Sequence, residues 1–183
     1  MKTYIFLASG FEEIEAIAPL DILRRAGLEV VTVSISEQKM VVGSHGLPVI
    51  ADILFSEVKP ADVGMIFLPG GLPGTTNIDA HKELKELINS KVQMNFPVAA
   101  ICAAPSVLGK MGLLKGIEAI CYPGFEKFMI DAKVSEKTIV QTGNILTAKS
   151  AGVAIPFALS LVELLKGKDV ADDVAHSIYY QRE

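Results

Sequence analysis

The chain has no tryptophan, two cysteines, three histidines and no surplus of positive charge among its 183 residues. Each shortage excludes something. Two cysteines, Cys102 and Cys121, cannot build the disulfide framework of a small secreted domain, and their spacing is not that of a metal site, so no metal is expected. A net charge of −4, with no run of five like charges, offers no basic stripe for a phosphate backbone, and no nucleic-acid partner is expected. No apolar stretch approaches the roughly 20 residues that span a bilayer. Met1–Lys2–Thr3–Tyr4–Ile5 runs straight into a strand pattern without the layout of a signal peptide, so the expected setting is the cytoplasm, away from membranes.

What is present is a globular composition, half hydrophobic and 21% charged, of a length that suits one domain over residues 1–183. Residues 3–9 read as a buried strand ending at Gly10. A helix follows, acidic in its first turn (Glu12, Glu13, Glu15), with Ile14, Ile17, Ala18, Ile22 and Leu23 at near-helical spacing up to Gly27 and a kink expected at Pro19. A strand over 29–35 completes a β–α–β opening, hence a right-handed parallel crossover. Residues 40–50, around Gly43–Ser44–His45–Gly46, read as a small excursion or hairpin.

A strand over 62–68 then enters Pro69–Gly70–Gly71–Leu72–Pro73–Gly74, where a glycine pair lets main-chain N–H groups approach a ligand, and a helix is expected over 78–92. Further on come a short strand over 118–122, a turn or short helix over 124–129, a hairpin about Thr142–Gly143–Asn144, and helices over 152–165 and 169–180. Strand and helix alternate, which predicts a doubly wound α/β sandwich with ligands at the carboxyl ends of its strands.

Chemistry concentrates in Pro97–Val98–Ala99–Ala100–Ile101–Cys102–Ala103–Ala104–Pro105–Ser106. An apolar strand ends on a cysteine, and a helix begins just beyond with proline in its first turn, so Cys102 sits on a strand-to-helix elbow. Unpaired N–H groups at such a helix start favour thiolate, the nucleophilic form. A cysteine here also fits as a small core residue, and the segment alone leaves both readings open. Strand ends at Ser9–Gly10–Phe11, Leu68–Gly71 and Ile101–Cys102 fall at one sheet edge if their strands are neighbours, which brings Glu15 toward the thiol.

Several of these segments together resemble the ThiJ/PfpI superfamily, and within it the subfamily of the parkinsonism-associated protein deglycase. They are Gly10–Phe11–Glu12–Glu13–Ile14–Glu15, Asp21–Ile22–Leu23–Arg24–Arg25–Ala26–Gly27, Leu68–Pro69–Gly70–Gly71, Ala100–Ile101–Cys102–Ala103–Ala104–Pro105 and Phe157–Ala158–Leu159. The resemblance implies a flavodoxin-like, mostly parallel sheet sandwiched by helices, as in class I glutamine amidotransferases. It also implies a homodimer, a nucleophilic or redox-active Cys102 partnered by Glu15, and an oxyanion pocket of N–H groups at Gly71 and Ala103 beside Gly70. Family arginines that line an anion pocket at the dimer edge fall on Arg25 and, less closely, on His45. Tyr122 stands where many members have histidine, and the stretch Ser–Arg–Gly–Pro–Gly reads Ala148–Lys149–Ser150–Ala151–Gly152.

With Tyr122 in that place, and with His81 and His176 on surface-type helices, a hydrolytic triad lacks its base. The expected chemistry is a cofactor-free, glutathione-independent conversion of 2-oxoaldehydes such as methylglyoxal, or of their adducts on proteins, with Glu15 protonated beside a Cys102 thiolate. The alternative is an oxidative-stress sensor or redox-regulated chaperone working through Cys102 oxidation. Cys121 is expected to be inert core, and Tyr122 to orient substrate or fill the core.

Overall fold

A computed structural model describes residues 1–182. The chain begins β1 (Lys2–Leu7), α1 (Glu13–Arg25), β2 (Val30–Ser34), β3 (Met40–Val42), β4 (Pro48–Ile50) and β5 (Ile53–Leu54). It continues through β6 (Val63–Leu68), α2 (Gly74–Ala80), α3 (Lys82–Gln93), β7 (Val98–Ile101) and α4 (Pro105–Lys110). The last third holds β8 (Glu118–Ala119), β9 (Lys133–Val134), β10 (Ile139–Thr142), β11 (Ile145–Ala148), α5 (Ala154–Lys166) and α6 (Lys168–Ser177).

Seven strands form one sheet in the order β10–β11–β7–β6–β1–β2–β5, parallel except for the β10–β11 hairpin. Burial on both faces explains the unbroken apolar runs of the central strands. The pleat divides them: Ile5, Leu7, Phe67 and Ile101 join the core under α1, α5 and α6, where the rings of Phe67 and Phe157 lie 5.5 Å apart. Phe6, Ile66, Leu68 and Ala100 face the other way, into the core with Ile78, Leu84, Ile88 and Leu108. This is the expected flavodoxin-like sandwich. No helix among the described residues is long and apolar enough to cross a membrane.

The 40–50 excursion is the β3–β4 hairpin, outside the main sheet. The helix expected over 78–92 is two helices, because the His81 imidazole accepts the N–H of Leu84 at 3.2 Å and starts α3 afresh. Helix α1 runs unbroken from Glu13 to Arg25 across Pro19, the residue at which a kink is expected. The strand expected over 118–122 pairs only at Glu118–Ala119; beyond it the N–H of Ile120 turns to Thr147 Oγ1 and that of Tyr122 to Cys102 O. Strands β5 and β9 have two residues each, too short to show a period.

Candidate active site

Because β7, β6 and β1 are neighbours, the loops leaving their carboxyl ends converge. The loop after β7 carries Cys102 at φ +64°, a left-handed conformation costing a side-chain-bearing residue of order 1 kcal/mol. Three backbone hydrogen bonds hold it there. The Cys102 N–H donates to Ala148 O at 2.9 Å, the Cys102 carbonyl accepts from the Tyr122 N–H at 2.7 Å, and the Ala104 N–H donates to Ile101 O at 3.1 Å. Helix α4 starts at Pro105, whose missing N–H would be unpaired there in any case. At six residues it is short, so individual N–H groups near the sulfur matter more than the helix field.

Glu15 lies on the inner face of α1 and is 1% exposed. Its Oε2 accepts the Gly70 N–H at 2.9 Å, and its own N–H is capped by Glu12 Oε2 at 2.7 Å. The Glu12 N–H in turn donates to Gly70 O at 2.9 Å, which locks the first helix to the glycine loop. A Cβ placed on Gly70 would stand 2.6 Å from Glu15 Oε2 and 2.7 Å from Cys102 Cβ. Carboxyl and thiol therefore face one another across a residue that has no side chain.

The N–H groups of Gly71 and Ala103 act on the sulfur from the opposite side to the carboxyl in charge terms, favouring its anion. Tyr122 is tied by its backbone to Cys102 and the residue is 45% exposed, so it does not fill the core. Cys121 is buried core, its thiol pushed up to about 11 by burial. His45, in the β3–β4 turn, places Nδ1 2.9 Å from Glu13 Oε2 and 4.0 Å from Glu12 Oε1. Arg25 is bound to Asp21 at 2.6 Å in the last turn of α1. Ten residues from Glu15, about 15 Å along the helix, it does not meet the thiol of its own chain. His81 caps α3 and packs on Phe55 at 4.5 Å instead of being solvated, and His176 is exposed on α6.

One contributor escaped the sequence. The N–H of Ala151 acts on the Glu15 carboxyl, at a place where the resembling stretch carries proline and would have no N–H to offer. The departure at 148–152 marked the segment, but a main-chain donor has no residue-type signature.

Burial is the largest influence on both groups. It lifts the Glu15 carboxyl to about 7, helped by the charge of Glu12 and opposed by hydrogen bonds from the thiol, Gly70 and Ala151. It also pushes the Cys102 thiol up, as does an ionised Glu15, while the N–H groups of Ala103 and Gly71 pull it down. Two anions in this pocket would repel strongly, so the pair keeps one proton between them past neutrality. Burial raises both groups, so the site disfavours a second negative charge wherever the remaining proton sits.

A pH dependence of stability follows. The folded carboxyl releases its proton near 7 and an unfolded one near 4.5, so its contribution is fully present below pH 4.5 and is lost as pH rises through 7. The loss amounts to about 3 kcal/mol. Urea unfolding between pH 4 and 8 should show wild type losing that much relative to Glu15→Gln, whose amide does not titrate. Parallel curves for the two proteins would contradict the burial assigned to Glu15.

Residues 1–164 match the model of the DJ-1/PfpI family. DJ-1 homolog B of Arabidopsis thaliana is 37% identical over 176 residues, covering 95% of this chain, and this chain spans only 40% of that protein's length. The deglycase PfpI of Pyrococcus furiosus is 32% identical over 168 residues, covering 91% of this chain and all of the relative. Among solved structures, oxidized DJ-1 of Toxoplasma gondii superposes with a TM-score of 0.95 at 35% identity, over 99% of each chain.

Proposed function

Since the chain belongs to the DJ-1/PfpI family, we propose that it is a cysteine-dependent, glutathione-independent glyoxalase or deglycase, acting on 2-oxoaldehydes such as methylglyoxal or on their adducts with proteins. The observation that carries this reading is the juxtaposition of Cys102 and Glu15 across Gly70, with two N–H groups acting on the sulfur. The deglycase among its relatives points the same way.

In this mechanism Glu15 holds the shared proton and Cys102 reacts as thiolate. The carboxyl, raised to about 7 by burial, is basic enough to take the thiol's proton, and the N–H groups of Ala103 and Gly71 favour the resulting charge on sulfur. The thiolate adds to the aldehyde carbon, and the oxyanion of the resulting hemithioacetal lies against the N–H groups of Gly71 and Ala103. Glu15 protonates that oxygen, then as carboxylate takes the proton from the aldehyde-derived carbon and returns one to the neighbouring carbon through an enediol.

The first carbon is thereby oxidised to a thioester and the second reduced to an alcohol. Water cleaves the thioester, releasing lactate and the free thiol. The redox change stays inside the substrate, so the step needs no external electron carrier. A homodimer accompanies this reading as what the family implies, and a cytoplasmic setting as what the sequence leads one to expect. The test is glutathione-free conversion of methylglyoxal to lactate, followed enzymatically; absence of product would remove the enzyme reading.

The same pair supports a second reading, because Cys102 is partly exposed and a buried carboxyl beside it can hydrogen-bond an added oxygen. Graded peroxide should add two oxygens at Cys102 alone, as sulfinate, with Cys121 untouched. Intact mass and peptide mapping read this directly, and oxidation spread over methionines would count against a sensor.

A further inference from the structure

At the elbow after β7 nearly every main-chain polar group is tied down. The Cys102 N–H donates to Ala148 O at 2.9 Å, and the Cys102 carbonyl accepts the Tyr122 N–H at 2.7 Å. The Ala104 N–H donates to Ile101 O at 3.1 Å, and the Ala104 carbonyl accepts the Val107 N–H at 3.0 Å. Of the groups on residues 102–104, only the Ala103 N–H has no main-chain partner, and it is one of the two that act on the Cys102 sulfur.

The carbonyl of that same residue carries two donors. It accepts the Ser106 N–H at 3.1 Å and the Ser106 hydroxyl at 2.6 Å. Among the described residues this hydroxyl is the one side-chain group that bonds the main chain of residues 101–105. Ser106 and Ala103 are 2% and 3% exposed, so solvent has little room to replace the bond. The elbow needs such a tie. Cys102 is strained at φ +64°, and α4, with six residues, is too short to hold the turn by its own stability.

We propose that Ser106 is a positioning residue for the reacting sulfur: by pinning the Ala103 carbonyl, its hydroxyl keeps the Ala103 N–H aimed at Cys102 Sγ and at the oxyanion that forms beside it. It rests on the reading of Cys102 as the reacting atom, and it deepens that reading by assigning a side chain to an oxyanion pocket otherwise made of main chain. The Ala103 N–H matters more once charge has developed than before, so its misalignment lowers kcat more than it raises KM. Loss of one buried neutral hydrogen bond of this kind changes an equilibrium by about fivefold to tenfold.

The test follows alkylation of Cys102 by iodoacetamide as a function of pH, read by peptide mass, in wild type, Ser106→Ala, Ser106→Thr and Ser34→Ala. Ser34 is 0% exposed and its hydroxyl donates to Gln38 O at 2.6 Å. It lies at the end of β2, away from β7 across β1 and β6, so its loss matches the removal of a buried hydroxyl without touching the elbow. In Ser106→Ala the alkylation profile should move to higher pH, the rate at neutral pH should fall about fivefold to tenfold, and kcat for methylglyoxal should fall by a similar factor with KM nearly unchanged. Ser106→Thr, which keeps the hydroxyl, and Ser34→Ala should both retain the wild-type profile.

An unshifted profile in Ser106→Ala, or an equal shift in Ser34→Ala, would overturn the proposal. Where Ser106→Ala does not fold, Ser106→Thr decides: the wild-type profile upholds the positioning role and a displaced one removes it. A wild type that makes no lactate, with a profile that still shifts in Ser106→Ala, loses the enzyme reading and keeps the role of Ser106. One that makes lactate at the same kcat and with the same profile in both proteins does the reverse.

Discussion

Cys102→Ser lowers lactate formation from methylglyoxal by at least about a thousandfold while the protein stays folded. The hydroxyl occupies nearly the same volume, so the φ +64° turn and its hydrogen bonds to Ala148 and Tyr122 are unaffected. What changes is acidity. A carboxyl near 7 can share a proton with a thiol, but a serine hydroxyl is too weak an acid for Glu15 to ionise, and the nucleophile disappears. Glu15→Gln should fall by about 10² to 10⁴, because an amide keeps the shape and loses the proton shuttle. Thermal unfolding alongside the assay separates lost chemistry from lost fold, and retention of more than a tenth of wild-type rate in Cys102→Ser would place the reaction elsewhere.

The second large effect is expected at the glycine pair. Gly71→Ala must hold φ +90° and set its Cβ 2.4 Å from Glu12 N, 2.5 Å from Gly10 O and 2.7 Å from Phe11 C. All three atoms are backbone and cannot swing aside, so the loss should exceed about 4 kcal/mol. Gly70→Ala carries no left-handed strain, but its methyl group wedges between Glu15 Oε2 and Cys102 Cβ. It should cost about 2 kcal/mol of stability and nearly all activity. Gly112→Ala, at φ +75° with nothing within 4 Å, provides the control and should cost only about 1 kcal/mol. Urea unfolding with the lactate assay measures all three, and a Gly71→Ala as stable as Gly112→Ala would mean that the two loops are not packed as described.

The alternation of apolar runs and amphipathic segments was enough to read the sandwich, and the meeting of Glu15 with Cys102 followed from three strand ends on one edge. The sequence misled where a local device overrode the period. His81 reads as the exposed start of a charged helix, yet its imidazole replaces the missing partner of an N–H and splits the helix. Segment 118–122 reads as a strand, but Thr147 and Cys102 take the hydrogen bonds a neighbouring strand would have used. Arg25 enters by resemblance only, as part of a pocket at a dimer edge, and within one chain it lies about 15 Å along the helix from Glu15. The latch between Glu13 and the turn of residues 43–47 joins positions about thirty apart through backbone N–H groups, which no periodicity reports.

Much of what surrounds the sulfur and its carboxyl partner is main chain, contributed by Gly70, Gly71, Ala103 and Ala151. Such donors survive any exchange of side chain except one to proline. Evolutionary drift can therefore rewrite the chemistry of the surrounding side chains while the cradle of Gly70, Gly71 and Ala103 persists, and at Ala151, where the resembling stretch carries proline, it adds a donor. A comparison of sequences would see that cradle mainly as a pattern of what is forbidden: a ring at Gly70, Gly71 or Ala103, or a methyl group at the first two.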